Sequence, residues 1–250
     1  MRLLLHELKG ELRLYSRSRE LAFFTFMLPI IFFVLLGSVY GDEDRINGYR
    51  GPDYLLTGML GYGVAATAFS GLAIVLVIRR ETGILKRLRA TPLPAPVYIA
   101  AVLLTTLIAF AVEAIVLVAL GMLLFDAEFP KSFLSAVAAL LLGSASFAVL
   151  GVGVSGLVRR AEGASAVITA LYLPLSFISG AFFSQRHFPG WLKQIADVLP
   201  LTYFIDLMGS VMLKGVSIWD RPKDVAVITA WGIFGVLLAT RFFRWTPQEG

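Results

Sequence analysis

The sequence predicts an all-α integral membrane protein: six transmembrane helices, an interfacial helix ahead of them, and two short amphipathic additions at the membrane surfaces. Three observations lead there. Apolar residues make up 58% of the 250 and charged residues 16%, where soluble domains run at about 45–50% and about 25%. The apolar residues fall in long runs, and a run of about 20 is what a helix needs to cross a bilayer core of about 30 Å. Segments rich in Lys and Arg recur on alternate connections between those runs. Six runs and their loops use the whole chain, so residues 1–250 read as a single transmembrane domain with no soluble domain of ordinary size.

Residues 1–20 come first. Leu5, Leu8, Leu12 and Tyr15 recur at helical spacing with Lys9, Arg13 and Arg17 opposite, the pattern of a helix lying in the bilayer interface. Five basic residues are spread along this stretch, unlike a cleavable signal, in which a brief basic start precedes a short apolar core. The first span follows over residues 21–40, with Pro29 inside it; spanning helices tolerate proline. The second span covers residues 54–78, which carry no charge.

Residues 79–95 hold five Lys and Arg. Within them lies a short amphipathic helix: Ile84, Leu85 and Leu88 share one face, with Lys86, Arg87 and Arg89 around it. Thr91-Pro92 and Pro94 end it, because proline lacks an N–H and disfavours helix at the residue before it. Two readings stand: a basic loop that only sets topology, or a surface helix that passes force between a soluble partner and the bilayer.

The third span, residues 97–125, is long for a helix rising about 1.5 Å per residue, so it tilts or projects beyond the core. The fourth covers 133–158, the fifth 164–183 and the sixth 225–243. Gly143, Ser144, Ala145, Ser146, Ala148, Gly151, Gly153, Ser155 and Gly156 make the fourth rich in small residues, which let backbones approach closely in lipid. Between the fifth and sixth spans, residues 199–213 are apolar but short, and Pro200, Asp206 and Gly209 interrupt them. Together with residues 188–196 they read as a re-entrant helical hairpin within residues 184–213, not as a seventh span.

Orientation follows from charge. Fourteen Lys and Arg fall in residues 1–20, 79–95, 159–163 and 241–250, and eight on the opposite connections. The positive-inside rule puts both termini in the cytoplasm and the re-entrant hairpin outside. A seventh span would move Arg241 and Arg244 to the outer side. The net charge of +5 belongs to cytoplasmic loops beside anionic lipid, with no nucleic-acid partner implied.

Catalytic chemistry is not visible. The chain has no cysteine, which excludes disulfides, thiol catalysis and Cys-ligated zinc. It has no GxxxxGK[ST] phosphate loop and no GxSxG elbow. His6 and His187 fall on opposite sides of the predicted topology, neither with a metal-ligand partner at suitable spacing. Glu113 is the only acid deep within a span. One reading makes it an ion- or substrate-recognising group. The other makes it a neutral or cavity-facing acid that packs and hydrogen-bonds, and the lack of a titratable neighbour in the other spans favours that one. Tyr172, Phe177, Phe182 and Phe183 set aromatics on the fifth span, either as the wall of a hydrophobic substrate path or as lipid-facing and interfacial rings.

Two segments carry a family resemblance. E-T-G-I-L-K-R-L-R-A-T-P-L at residues 81–93 resembles the cytoplasmic segment between the second and third spans of the permease subunit of type-2 ABC exporters. L-P-L-S-F-I-S-G-A-F-F at 173–183, followed by F-P-G-W-L-K-Q-I-A-D-V-L-P-L-T-Y-F-I-D at 188–206, resembles that family's fifth span and extracellular re-entrant region. The likeness runs over nearly the whole chain, towards the bacterial antibiotic- and drug-resistance branch. It implies two permease subunits, identical or related, docked on two separate cytoplasmic ATPase subunits in a prokaryotic inner membrane. ATP and Mg would sit on the ATPase, and this chain would hold no cofactor and no metal. Glu81, Thr82, Gly83, Ile84, Leu85, Lys86, Arg87, Leu88 and Arg89 would then form the coupling helix, with Glu81, Leu85 and Leu88 the expected anchors of the contact. The cargo implied is a lipophilic compound such as a drug or antibiotic. A permease for a lipid-linked polysaccharide or cell-wall polymer is the near alternative. A secondary transporter is the distant one; it needs inverted repeats and a midplane site, and neither a repeat nor more than Glu113 is visible.

Overall fold

The computed structural model describes residues 2–17, 19–40 and 45–246, with backbone alone at residues 19–25 and at His187. Parts of three expectations therefore lie outside the described residues: Met1 and Ser18 of the interfacial segment, residues 41–44 of the first outer loop, and the tail at 247–250.

Helices dominate. Helix α1 (Arg2–Arg17) leads into α2 (Arg19–Val39), and a two-stranded antiparallel hairpin follows, β1 (Arg45–Ile46) with β2 (Tyr49–Arg50). Next comes α3 (Gly51–Glu81), continuous through a π-helical stretch at Val64–Gly71. Short helix α4 (Ile84–Arg89) precedes α5 (Ala95–Phe125) and α6 (Phe133–Ser155). The chain then forms α7 (Ala164–Ile178), the pair α8 (Gly190–Ala196) and α9 (Pro200–Leu213), and finally α10 (Pro222–Phe242).

Among the described residues, four helices are long and apolar enough to cross a membrane: α3, α5, α6 and α10. Residues Phe26–Val39 of α2 and the whole of α7 are apolar but shorter. Helices α8 and α9 meet at an 81° bend. Pro200 opens α9 at its first turn, where the missing N–H costs nothing.

The fifth expected span ends early. Helix α7 stops at Ile178, and Gly180 turns the chain at φ +87°, a conformation that glycine adopts without a Cβ penalty. The Tyr54 hydroxyl donates to the Gly180 carbonyl at 2.9 Å and holds the turn against α3. Phe182 and Phe183 therefore lie beyond the helix, not on it as the sequence pattern implies.

Contacts collect at two ends. At one, Arg79 meets Glu11 and Tyr98, Arg80 reaches the end of α6, and the Tyr98 and Trp245 rings lie 5.8 Å apart. At the other, Arg50 donates to the carbonyls of Phe125 and Asp126, the Lys131 N–H donates to the Met212 carbonyl, and the Ser184 hydroxyl meets Asn47 Oδ1 at 2.7 Å. Glu11, Arg79, Arg159 and Trp245, one residue from each of the four basic segments counted on one side, make contacts at the first end.

Helix α3 runs through the middle. It packs on α2, α5, α6 and α9, and its π-helical stretch packs on α7. The small residues of α6 explain how closely it approaches: a Cβ on Gly151 would lie 2.6 Å from the Phe69 carbonyl oxygen. Only glycine fits there.

Candidate coupling surface and substrate path

Three consecutive residues end α3 and reach α1, α5, the end of α6 and the turn that follows it. The Arg79 guanidinium donates to both carboxylate oxygens of Glu11 on α1, each at 2.8 Å, and to the Tyr98 hydroxyl on α5 at 2.9 Å. Bidentate pairs of this kind fix geometry as well as charge. Arg80 is 1% exposed and donates to the carbonyls of Ser155, at 2.8 Å, and Val158. Ser155 closes α6, where the helix's own backbone leaves its last carbonyls unpaired, and Val158 lies in the turn that follows. Glu81 accepts the N–H of Ala161, in the turn between α6 and α7.

A joint follows at once. Thr82 donates its hydroxyl to the Ile78 carbonyl at 2.8 Å, and Gly83 turns at φ +73° before α4 begins. Leu85 is fully buried within this chain's own core, and Leu88 is half-buried against it. Leu85, expected as an anchor for a partner, packs its side chain into this chain's own core and fastens α4 to it. Ile84, Lys86, Arg87 and Arg89 remain exposed. The outward face of α4 is thus one isoleucine among three cations.

The interior candidates form two groups, one residue apart on α3. Glu113 is fully buried, and Thr67, from the π-helical stretch, donates to its Oε2 at 2.5 Å. Its Oε1 has no hydrogen-bond partner among the described residues and lies against Gly63, where a Cβ would collide with it. Tyr15 of α1 sits near enough to feel this carboxyl; burial first, and the Glu113 charge second, push the Tyr15 phenol well above its ordinary value.

Tyr62 serves the other group. Its ring lies 6.1 Å from Tyr172, 5.2 Å from Phe182 and 6.1 Å from Phe32. Phe177 stacks on Phe182 at 4.4 Å and lies 6.2 Å from Phe183. Edge-to-face and offset pairs of this kind add about 0.5–1.5 kcal/mol each beyond area burial. Tyr172 and Phe182 are buried, while Phe183 is 46% exposed. All four aromatic candidates of the sequence therefore converge in one cluster, and Glu113 stands outside it. Tyr172 also borders an apolar cavity of about 240 Å³ between α3, α6, α7, α9 and α10.

Sequence reasoning missed Glu11, Arg80, Phe32, Tyr62 and Thr67. Glu11 had a signal, being an acid on the same helical face as Leu8, Leu12 and Tyr15. The others had none, since their partners lie on distant segments.

Comparison with known proteins agrees with this architecture. Residues 2–213 match the family described as ABC-2 type transporter. The chain is 22% identical over 231 residues to a Bacillus subtilis protein named as a transport permease, YvfS, covering 92% of each chain. It is 28% identical over 203 residues to the daunorubicin resistance ABC transporter permease protein DrrB1 of Streptomyces coeruleorubidus, covering 78% of this chain and 69% of that one. A shorter match, 23% identical over 154 residues, joins it to YbhR of Escherichia coli K12, named as a multidrug ABC transporter permease, over 60% of this chain and 42% of the relative. With most of its length inside the family match and several helices apolar enough to cross a membrane, the chain belongs to the ABC-2 type transporter family as a multi-pass membrane permease.

Proposed function

We propose that this chain is the transmembrane subunit of an ATP-driven exporter that moves a lipophilic compound, such as a drug or antibiotic, out of a prokaryotic cell. A separate ABC ATPase subunit binds ATP with Mg and hydrolyses it, and a second permease, identical or related, completes the path. Six segments cross the inner membrane: α2, α3, α5, α6, α7 and α10. The grouping of the basic segments at one end of the bundle supports that count and a cytoplasmic position for both termini. Residues 1–250 act as one permease domain, with α8 and α9 dipping into the outer face as a re-entrant pair.

The observation that carries the reading is α4. It is a short helix fixed from within by Leu85, with Ile84, Lys86, Arg87 and Arg89 turned outward. A rigid lever with a charged outer face suits a cleft on a soluble ATPase. The aromatic cluster around Tyr62 supports lipophilic cargo, because its rings pack on one another and form no open row for stacking sugars. Glu113 packs and hydrogen-bonds through Thr67 in this reading.

Purification with a co-expressed ABC ATPase tests the proposal. The expected result is a stable complex that hydrolyses ATP, while the permease alone turns over none. Robust turnover by the permease alone, with contaminating ATPases excluded, overturns it.

A further inference from the structure

We propose that the gap between α7 and α10 holds a zwitterionic phospholipid as a resident ligand. Its acyl chain lies inside the protein, its ester group at Ser179, and its headgroup in a polar pocket bordered by the β1–β2 hairpin. Ser179 is the residue that points to a ligand. It is 2% exposed, and its hydroxyl has no hydrogen-bond partner among the described residues. A buried hydroxyl of that kind calls for a partner from outside the chain. Ser179 stands one residue past the end of α7, in the walls of two cavities at once.

The two cavities differ in chemistry. One is the apolar cavity of about 240 Å³, to which α7 gives Leu171, Tyr172 and Leu175 and α10 gives Trp231, Phe234 and Leu238. Helix α7 packs on the π-helical stretch of α3, and α10 packs on α6 and α9, so the space lies between two helices held by different neighbours. Leu171 and Phe234 are each 45% exposed, and the cavity opens between them towards the bilayer. The Trp231 indole N–H is already spent on the Val198 carbonyl, at 3.1 Å. The other cavity, of about 300 Å³, carries both signs of charge: Arg186, Lys214 and Asp206 border it and are exposed. Arg221 borders it too, but is engaged by Asp224 at 2.6 Å. A phospholipid changes in the same order along its length, from chain to ester to phosphate to ammonium. The Ser179 hydroxyl donates to the ester carbonyl, Arg186 and Lys214 hold the phosphate, and Asp206 takes the ammonium. Apolar walls with a few placed polar groups are the usual build of a small-molecule site. A plain alcohol would leave both charges unused, and an anionic lipid would set no cation against Asp206. Only the assignment to the outer leaflet rests on the orientation proposed above.

Titration of the delipidated, detergent-purified permease with phosphatidylethanolamine, and separately with phosphatidylglycerol, tests the site, with bound lipid counted by native mass spectrometry. A single saturable site that prefers phosphatidylethanolamine by about tenfold is expected, the worth of one charged hydrogen bond. Leu171→Trp fills the mouth and should abolish that site, while Ile115→Trp, on the exposed side of α5, leaves it intact. Ser179→Ala should weaken binding about fivefold, the worth of one neutral hydrogen bond. Asp206→Asn should erase the preference between the lipids, and Lys214→Gln should weaken both. Glycerophosphoethanolamine, the same headgroup without chains, should not compete. Equal affinity for the two lipids in the unmodified chain overturns the headgroup assignment. Competition by the chainless headgroup overturns the seating of the chain. So does unchanged binding in both Leu171→Trp and Ser179→Ala, each checked for normal elution on gel filtration.

Discussion

Helices α3 and α10 are both apolar enough to cross a membrane, yet 78% of the apolar stretch of α3 is buried inside the protein and only 11% of that of α10. Apolarity does not separate them. In lipid there is no hydrophobic drive between helices, so the inner helix is marked by what lets backbones touch and by hydrogen bonds made across helices. Helix α3 has both: the backbone of its π-helical stretch meets Gly151, its Thr67 bonds Glu113, and its last turn binds three neighbours. Helix α10 packs mainly on α6 and α9 and leaves Ile233, Val236 and Leu237 outward.

The comparison can be broken first at the joint that α3 controls. Leu85→Asp would bury a carboxylate in the core, where an unpaired charge is among the costliest changes a fold can receive. The permease should vanish from the membrane fraction, as followed by immunoblot. Ile84→Asp, on the exposed neighbour, should leave the membrane level normal and abolish co-purification with the ATPase. Equal membrane levels for the two variants would show that Leu85 is not a core residue.

A smaller effect distinguishes the two helices themselves. Tyr62→Ala on α3 empties a site among three rings and should cost about 3–5 kcal/mol, as truncation of a buried aromatic does. Leu237→Ala on α10 is expected to stay within about 0.5 kcal/mol, the usual range for exposed positions. Denaturation in detergent compares them, and equal losses would mean that burial inside the protein carries no weight here.

The smallest effect concerns Glu113. Glu113→Gln keeps the shape and the acceptor for Thr67, so transport by the assembled complex should be nearly unchanged across pH. Glu113→Leu strands the Thr67 hydroxyl and should cost about 1–3 kcal/mol of stability. Loss of transport in the Gln variant, with normal stability and ATPase binding, would make Glu113 a recognition group instead.

Much of the architecture was legible in the chain. Apolar run length predicted α3, α5, α6 and α10 with ends moved by three residues or fewer, because the need to satisfy backbone groups in lipid leaves helix as the available answer. Proline marked the end of α4 and the bend before α9. The candidate site was legible only in part. The basic patch of α4 showed in the sequence, but the inward turn of Leu85 did not, since an amphipathic pattern says which residues share a face and not which neighbour covers it. The early end of α7 was hidden too, because the turn is held by Tyr54, 126 residues away from Gly180.

By itself, then, the sequence determined what is local: helix, span length, breaks, and the charge that sorts one end from the other. Tertiary structure decided which apolar helix lies inside, which of Ile84 and Leu85 faces out, and what Arg79, Arg80 and Glu81 hold. Those outcomes depend on partners brought together from segments 19 to 80 residues apart, and no periodicity within a single helix encodes them.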